Sequence, residues 1–176
     1  MINGIFNTYK SYLYNIIKMK MLFSISLLIA ICMTVKSQDF ETLNFKELEP
    51  TFHQQNDTTY VINFWAMWCK PCVEELPEFE HIRKSYENKQ VKVILISLDF
   101  GAKVEERLNR FLTKKNINAE VVILDDPDAN SWIGKVDDKW DGALPATVIY
   151  KKDKRKFFAR KVTYSELAET IDNLNR

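Results

Sequence analysis

From Asp39 onward, short runs of apolar and β-branched residues alternate with stretches whose apolar positions recur every three or four residues. That pattern predicts strands alternating with helices. Phe40–Gln54 reads as a short strand or turn and a helical segment, closed by the polar stretch Gln54–Thr58. Thr59–Ala66 is almost wholly apolar or β-branched, as expected of a central strand covered on both faces. Lys70–Glu87 is predicted helical, with Leu76, Phe79, Ile82 and Tyr86 on one stripe and Pro77 removing one backbone donor and kinking it. Val91–Leu98 is the next strand. Lys103–Asn116 is a helix with Val104, Leu108, Phe111 and Leu112 inward, and Glu120–Leu124 is a strand. Asp128–Val136 is a short helix, Ala146–Tyr150 and Lys156–Val162 form a hairpin, and Tyr164–Leu174 is a closing helix on Leu167, Ile171 and Leu174. The class is α/β with a mixed sheet.

Residues 1–37 break this pattern. Lys18 and Lys20 precede the apolar run Met21–Val35, which ends in Val35-Lys36-Ser37, small residues at cleavage spacing. This reads as a secretory signal peptide, with residues 38–176 as the mature domain. A start at Met19 or Met21 gives a leader of usual length. The run is shorter than the roughly 20 residues of a spanning helix; an uncleaved anchor, extended through Ile16 and Ile17, is the alternative. Cys32 follows the bulky Ile31, which argues against a lipid-modified cysteine.

Composition is that of a globular domain, 46% hydrophobic and 28% charged. The net charge of +1 conceals an asymmetry, because residues 1–37 carry four lysines and no acid. Without them 24 acidic groups face 21 basic ones. A nucleic-acid partner is therefore not expected.

Two of the three cysteines, Cys69 and Cys72, lie beyond the leader. The loop they close is too short to staple a fold, and with His53 and His81 as the only histidines they make a poor zinc site. Neither a metal nor a cofactor is expected. Redox chemistry remains. Cys69 falls between a buried strand and a helix, where unsatisfied N–H groups and the helix dipole favour a thiolate. It is the expected attacking sulfur, with Lys70 adding positive charge and Pro71 pre-setting a helical φ. Cys72, one turn on and deeper, reaches back to resolve a mixed disulfide.

The stretch Val61-Ile62-Asn63-Phe64-Trp65-Ala66, with Trp68-Cys69, Pro71-Cys72, Glu75 and Pro77, resembles the thioredoxin superfamily and is similar to its exported TlpA/ResA-like branch. A distant element agrees: Gly142-Ala143-Leu144-Pro145-Ala146-Thr147 precedes a strand, where the family carries a cis-proline facing the cysteines. The resemblance covers essentially all of 38–176. It implies a thioredoxin-like fold, a central mixed β-sheet flanked by helices, with an extra βα insertion between the C-x-x-C helix and the cis-Pro loop. It implies a cis Leu144–Pro145 bond, with Leu144 offering backbone groups to an extended substrate. Asn63 stands where thioredoxin has a buried acid, and Glu75, expected half-buried beside Leu76, stands where the exported branch has a glutamate. Glu75 then becomes the acid/base for Cys72.

The activity implied is periplasmic thiol–disulfide exchange with disulfide-bearing proteins, in the reducing direction, as in cytochrome c maturation, with a DsbD/CcdA-like membrane protein as electron donor. A thiol peroxidase, which needs Arg and Thr around the cysteine, and a non-catalytic binding module are the alternatives. Trp68 is expected to line the site. Trp65, Trp132 and Trp140 fit core or rim, and His53 and His81 fit the surface. Lys151, Lys152, Lys154, Arg155 and Lys156 read as a solvated hairpin turn. Asp125, Asp126 and Asp128 lack the glycine and bidentate glutamate of a calcium loop.

Overall fold

Thr59–Trp65, seven consecutive buried residues, form the strand around which the sheet is built. The computed structural model describes residues 14–21 and 40–176. The chain divides into two units, Met1–Gln38 and Asp39–Arg176. In the first, residues 14–21 are helical; the remainder of the expected leader, including its cleavage pattern, lies outside the described residues. No helix among the described residues is long and apolar enough to cross a membrane.

In the second unit the elements are β1 (Glu41–Leu43), α1 (Phe45–Leu48) with a 3-10 turn (Glu49–Phe52), β2 (Thr59–Trp65), α2 (Lys70–Ser85) and β3 (Val91–Ser97). There follow α3 (Val104–Lys115), β4 (Glu120–Leu124), α4 (Ala129–Val136), β5 (Ala146–Lys151), β6 (Lys154–Phe158) and α5 (Tyr164–Leu174). The six strands lie in the order β1-β4-β3-β2-β5-β6. The first four are mutually parallel; β5 is antiparallel to β2, and β6 antiparallel to β5. This is the expected mixed sheet, with two βα units, β3–α3 and β4–α4, between the cysteine helix and Pro145.

Strand periodicity sorts the core into two layers. Val61 and Trp65 of β2 pack with Cys72, Leu76, Phe79 and Ile82 of α2, Leu108 and Leu112 of α3, and Leu167 and Ile171 of α5. Tyr60, Ile62 and Phe64 face the other side, against Phe45, Phe52, Trp132 and Trp140. Asn63, between Val61 and Trp65, thus points to the α2 side. α2 runs on through Pro77, which lacks the N–H that would bond the carbonyl of Val73.

One sequence expectation is corrected. The second hairpin strand is Lys154–Phe158, not Lys156–Val162, because the turn is only Lys152-Asp153, with Lys152 at φ 52°. Most of the basic cluster therefore belongs to strands. Charged residues suit a sheet edge, where they discourage further pairing. Arg155, half-buried, donates to the carbonyls of Val136 and Phe52. The segment freed from β6 becomes a loop that descends onto α2, with Val162 fully buried.

Candidate active site

Cys69 and Cys72 are joined by a disulfide, their Cα atoms 5.3 Å apart, at the first turn of α2. Cys69 is the N-cap: its backbone is extended (φ −88°, ψ 98°) and its Sγ accepts from the Cys72 N–H at 3.3 Å. An N-cap side chain normally offers oxygen to the orphan N–H groups of the first turn. Here sulfur does so, and the same donor would stabilise negative charge on Cys69 after reduction. Cys69 retains 6% of its exposure and Cys72 none. Of the two, only the first cysteine keeps any contact with solvent.

The sheet register brings the proline loop to this point. Phe64 of β2 pairs with Ala146 of antiparallel β5, so Pro145 and Leu144 lie level with the residues that lead from β2 into the cysteine loop. The Leu144–Pro145 bond is cis, as expected. Pro145 is buried and Leu144 half-buried. Asp141 Oδ1 accepts from the Ala143 N–H, and the Trp140 indole donates to the Ala143 carbonyl, each at 2.9 Å. Gly142 adopts φ +89°, and a Cβ there would lie 2.8 Å from Ile133 Cδ1, so only glycine fits this turn. Trp68, Lys70 and Pro71 are exposed around the disulfide.

Glu75 departs from expectation. It is completely buried rather than half-buried. The loop after β6 covers it, and the Val162 N–H donates to Oε2 at 2.8 Å. Asn63 Nδ2 donates to Oε1 at 2.8 Å and also to Thr147 Oγ1 at 3.0 Å; among the described residues Asn63 Oδ1 has no partner. Burial pushes the Glu75 carboxyl up from 4.5 to about 7, against the opposing pull of the Val162 and Asn63 donors and the Lys161 charge. A group in that range can hold or release a proton near neutral pH. Spaced three residues from Cys72, it shares the same helix face.

Sequence reasoning missed Asp99. Buried at the end of β3, its Oδ2 accepts from the Met67 N–H and Ser97 Oγ, each at 2.9 Å, and so secures the loop before Cys69. An acid after an apolar strand was the available signal. The Trp140 anchor was also missed; Trp65, Trp132 and Trp140 are core residues as expected. His81 is exposed and stacks on Tyr164 at 4.0 Å. Asp126 accepts from the Phe45 and Asp128 N–H groups. No cluster of three or more metal-ligating side chains occurs among the described residues.

A profile of the AhpC/TSA family matches residues 30–155. Among characterised sequences, the chain is 26% identical to the thioredoxin-like protein YneN of Bacillus subtilis over 103 residues, which cover 52% of this chain and 60% of that protein. It is 41% identical to the thiol-disulfide oxidoreductase ResA of Oceanobacillus iheyensis over 39 residues, 22% of this chain and 20% of the relative. The matched stretches thus span less than two thirds of these relatives. Among solved structures, a secreted thiol-disulfide isomerase from Corynebacterium glutamicum superposes with a TM-score of 0.57 at 20% identity, covering 72% of this chain and 74% of the other. StoA from Bacillus subtilis gives 0.53 at 18%, covering 66% and 84%. These likenesses establish the fold.

The Glu75 environment makes stability depend on pH. The carboxyl ionises near 4.5 in the unfolded chain and near 7 in the folded one, so the folded state keeps the proton longer, and stability falls as pH rises through that window. Between pH 5 and pH 8 the parent should lose about 2–3 kcal/mol relative to Glu75→Gln. Urea denaturation of both proteins at the two pH values measures this; parallel curves would show an unshifted carboxyl.

Proposed function

Because the chain belongs to the AhpC/TSA family, we propose that it is a thiol–disulfide oxidoreductase that reduces protein disulfides through Cys69 and Cys72. The observation that carries this reading is a disulfide capping a helix N-terminus, of which only the first cysteine keeps any exposure. The printed activity of the ResA relative supports it.

In the reduced protein the Cys69 thiolate attacks one sulfur of a substrate disulfide. The substrate S–S bond breaks, a bond from Cys69 Sγ to that sulfur forms, and the other substrate sulfur leaves as thiolate and takes a proton from water. Glu75 then accepts the proton of the Cys72 thiol. The Cys72 thiolate attacks Cys69 Sγ and expels the second substrate thiolate, which is protonated in turn. Two electrons have moved from the dithiol to the substrate, leaving the Cys69–Cys72 disulfide. Trp68, Lys70 and Pro71 border the exchange, and Leu144 and Pro145 offer an edge to an extended substrate backbone.

A peroxidase reading would require a guanidinium beside Cys69. The five internal arginines are engaged elsewhere: Arg83 with Glu80, Arg107 with the Phe100 carbonyl, Arg110 with Glu106, Arg155 with Val136 and Phe52, and Arg160 with Glu166. A binding module without activity is disfavoured by the presence of both cysteines and of the cis-Pro145 loop level with them.

The proposal extends to location and partners. Residues 1–37 export the chain to the periplasm, where a DsbD/CcdA-like membrane dithiol protein re-reduces it and where it acts in thiol reduction of the kind cytochrome c maturation requires. The basic leader and the secreted character of the Corynebacterium glutamicum neighbour support this.

Cys72→Ser should accumulate mixed disulfides with its partners, whereas Cys69→Ser should not; acid trapping and mass spectrometry decide, and the reverse pattern would overturn the assignment. Glu75→Gln should slow release of the mixed disulfide by about 10- to 100-fold with the fold intact. Stopped-flow kinetics from pH 6 to 9 measure it, and rates equal to the parent's would leave Glu75 without a role in proton transfer. The exported form should begin at Gln38 on N-terminal sequencing, and an intact cytoplasmic chain would contradict export.

A further inference from the structure

In the unit Asp39–Arg176, the large hydrophobic side chains left exposed among the described residues are Trp68, at 65%, and Phe100, at 76%. They are 32 residues apart in sequence yet sit at the same end of the sheet. β2 and β3 are parallel with Trp65 level with Ser97. The Leu98 N–H donates to the Trp65 carbonyl at 2.9 Å, and Asp99 Oδ2 accepts from the Met67 N–H at 2.9 Å. Trp68 and Phe100 each follow directly on this bonded pair, Trp68 in the turn that the Cys69 N–H closes onto the Ala66 carbonyl. The loop that presents Phe100 is held rather than free: Asp99 is buried on one side, and Arg107 donates to the Phe100 carbonyl at 2.7 Å on the other. Gly101 and Lys103 turn the chain back through φ 93° and 56°.

Two exposed aromatic side chains at the rim of the cysteine site, on an otherwise well-covered domain, offer apolar area to an occupant of that site, and aromatic side chains dominate the energetics of binding surfaces. This one is continuous with the redox site, since Trp68 adjoins Cys69. An occupant must therefore bring its own sulfur to Cys69 while an apolar group covers the rings. We propose that Phe100, with Trp68, forms an aromatic seat for a large apolar side chain next to the cysteine of an extended polypeptide substrate, and that Phe100 is a specificity-determining residue. The inference rests on the thiol–disulfide exchange reading and adds to it a preferred substrate class.

The test uses the pre-reduced full chain and two five-residue peptides, each with one cysteine capped by thionitrobenzoate, one peptide with leucine beside the cysteine and the other with serine. Stopped-flow release of thionitrobenzoate gives a second-order rate constant for each. The parent should favour the leucine peptide by about fivefold, in line with partial burial of one aliphatic side chain. Phe100→Ser should bring the two rates within about twofold, and Phe100→Leu should restore most of the preference. Equal rates in the parent, or a preference unchanged in Phe100→Ser, would overturn the proposal with the exchange reading intact. Failure to reduce either peptide would instead remove the exchange reading and this inference with it. A concentration-dependent dimer, seen by sedimentation and lost in Phe100→Ser, would assign the rings to a second copy of the chain and also overturn it.

Discussion

A carboxylate sealed from water holds this domain's functional end together. Glu75 joins three elements remote in sequence: its own helix, the central strand through Asn63, and the loop after the last strand through the Val162 N–H. Burying a carboxyl without partners costs several kcal/mol or forces it to keep its proton. Two donors soften that cost without removing it, so the group is left near neutrality. The fold thus depends on a group whose charge is not fixed at physiological pH. The proton-accepting role proposed for it beside Cys72 rests on the same property.

Around that group the sheet gathers loops from distant parts of the chain. β2, β3 and β4 run parallel, so their following loops emerge at one end, and antiparallel β5 begins at that end. Open α/β sheets commonly place their sites there. Each loop carries its own fastening. Cys69 caps α2 through sulfur, Asp99 secures the stretch before it, and Trp140 with Asp141 pins the stretch that leads to the cis-proline. Trp140 also packs on Phe64 with ring centroids 4.6 Å apart, which links the proline loop to the core beneath β2. Rigid support of this kind lets a two-sulfur site work without a large rearrangement.

Much of this was legible in the chain. Periodicity located the strands and helices of residues 40–176, except that it left β1 as a strand or turn and set the last strand two residues late, running it on to Val162. Local patterning of apolar residues reports which face each element must bury. The cysteine spacing, the flanking strand and the helix start pointed to Cys69 at the helix N-cap with Cys72 deeper, and the resemblance carried by Gly142–Thr147 pointed to the cis-proline loop. Those features are local, and the physics that produces them acts over a few residues.

What the tertiary structure alone decided depends on contacts far apart in sequence. The depth of Glu75 follows from a loop 87 residues away, which became available only because the hairpin closes on a two-residue turn and ends its strand at Phe158. The engagement of Asp99 with Met67, and with it the emergence of Trp68 and Phe100 at the same end of the sheet, follows from the parallel register of β2 and β3. A linear pattern shows whether a residue faces inward, but not which backbone donor will meet it there. Burial, hydrogen-bond partnership and the resulting proton affinity are properties of the packed assembly, and the sequence states them only after it has folded.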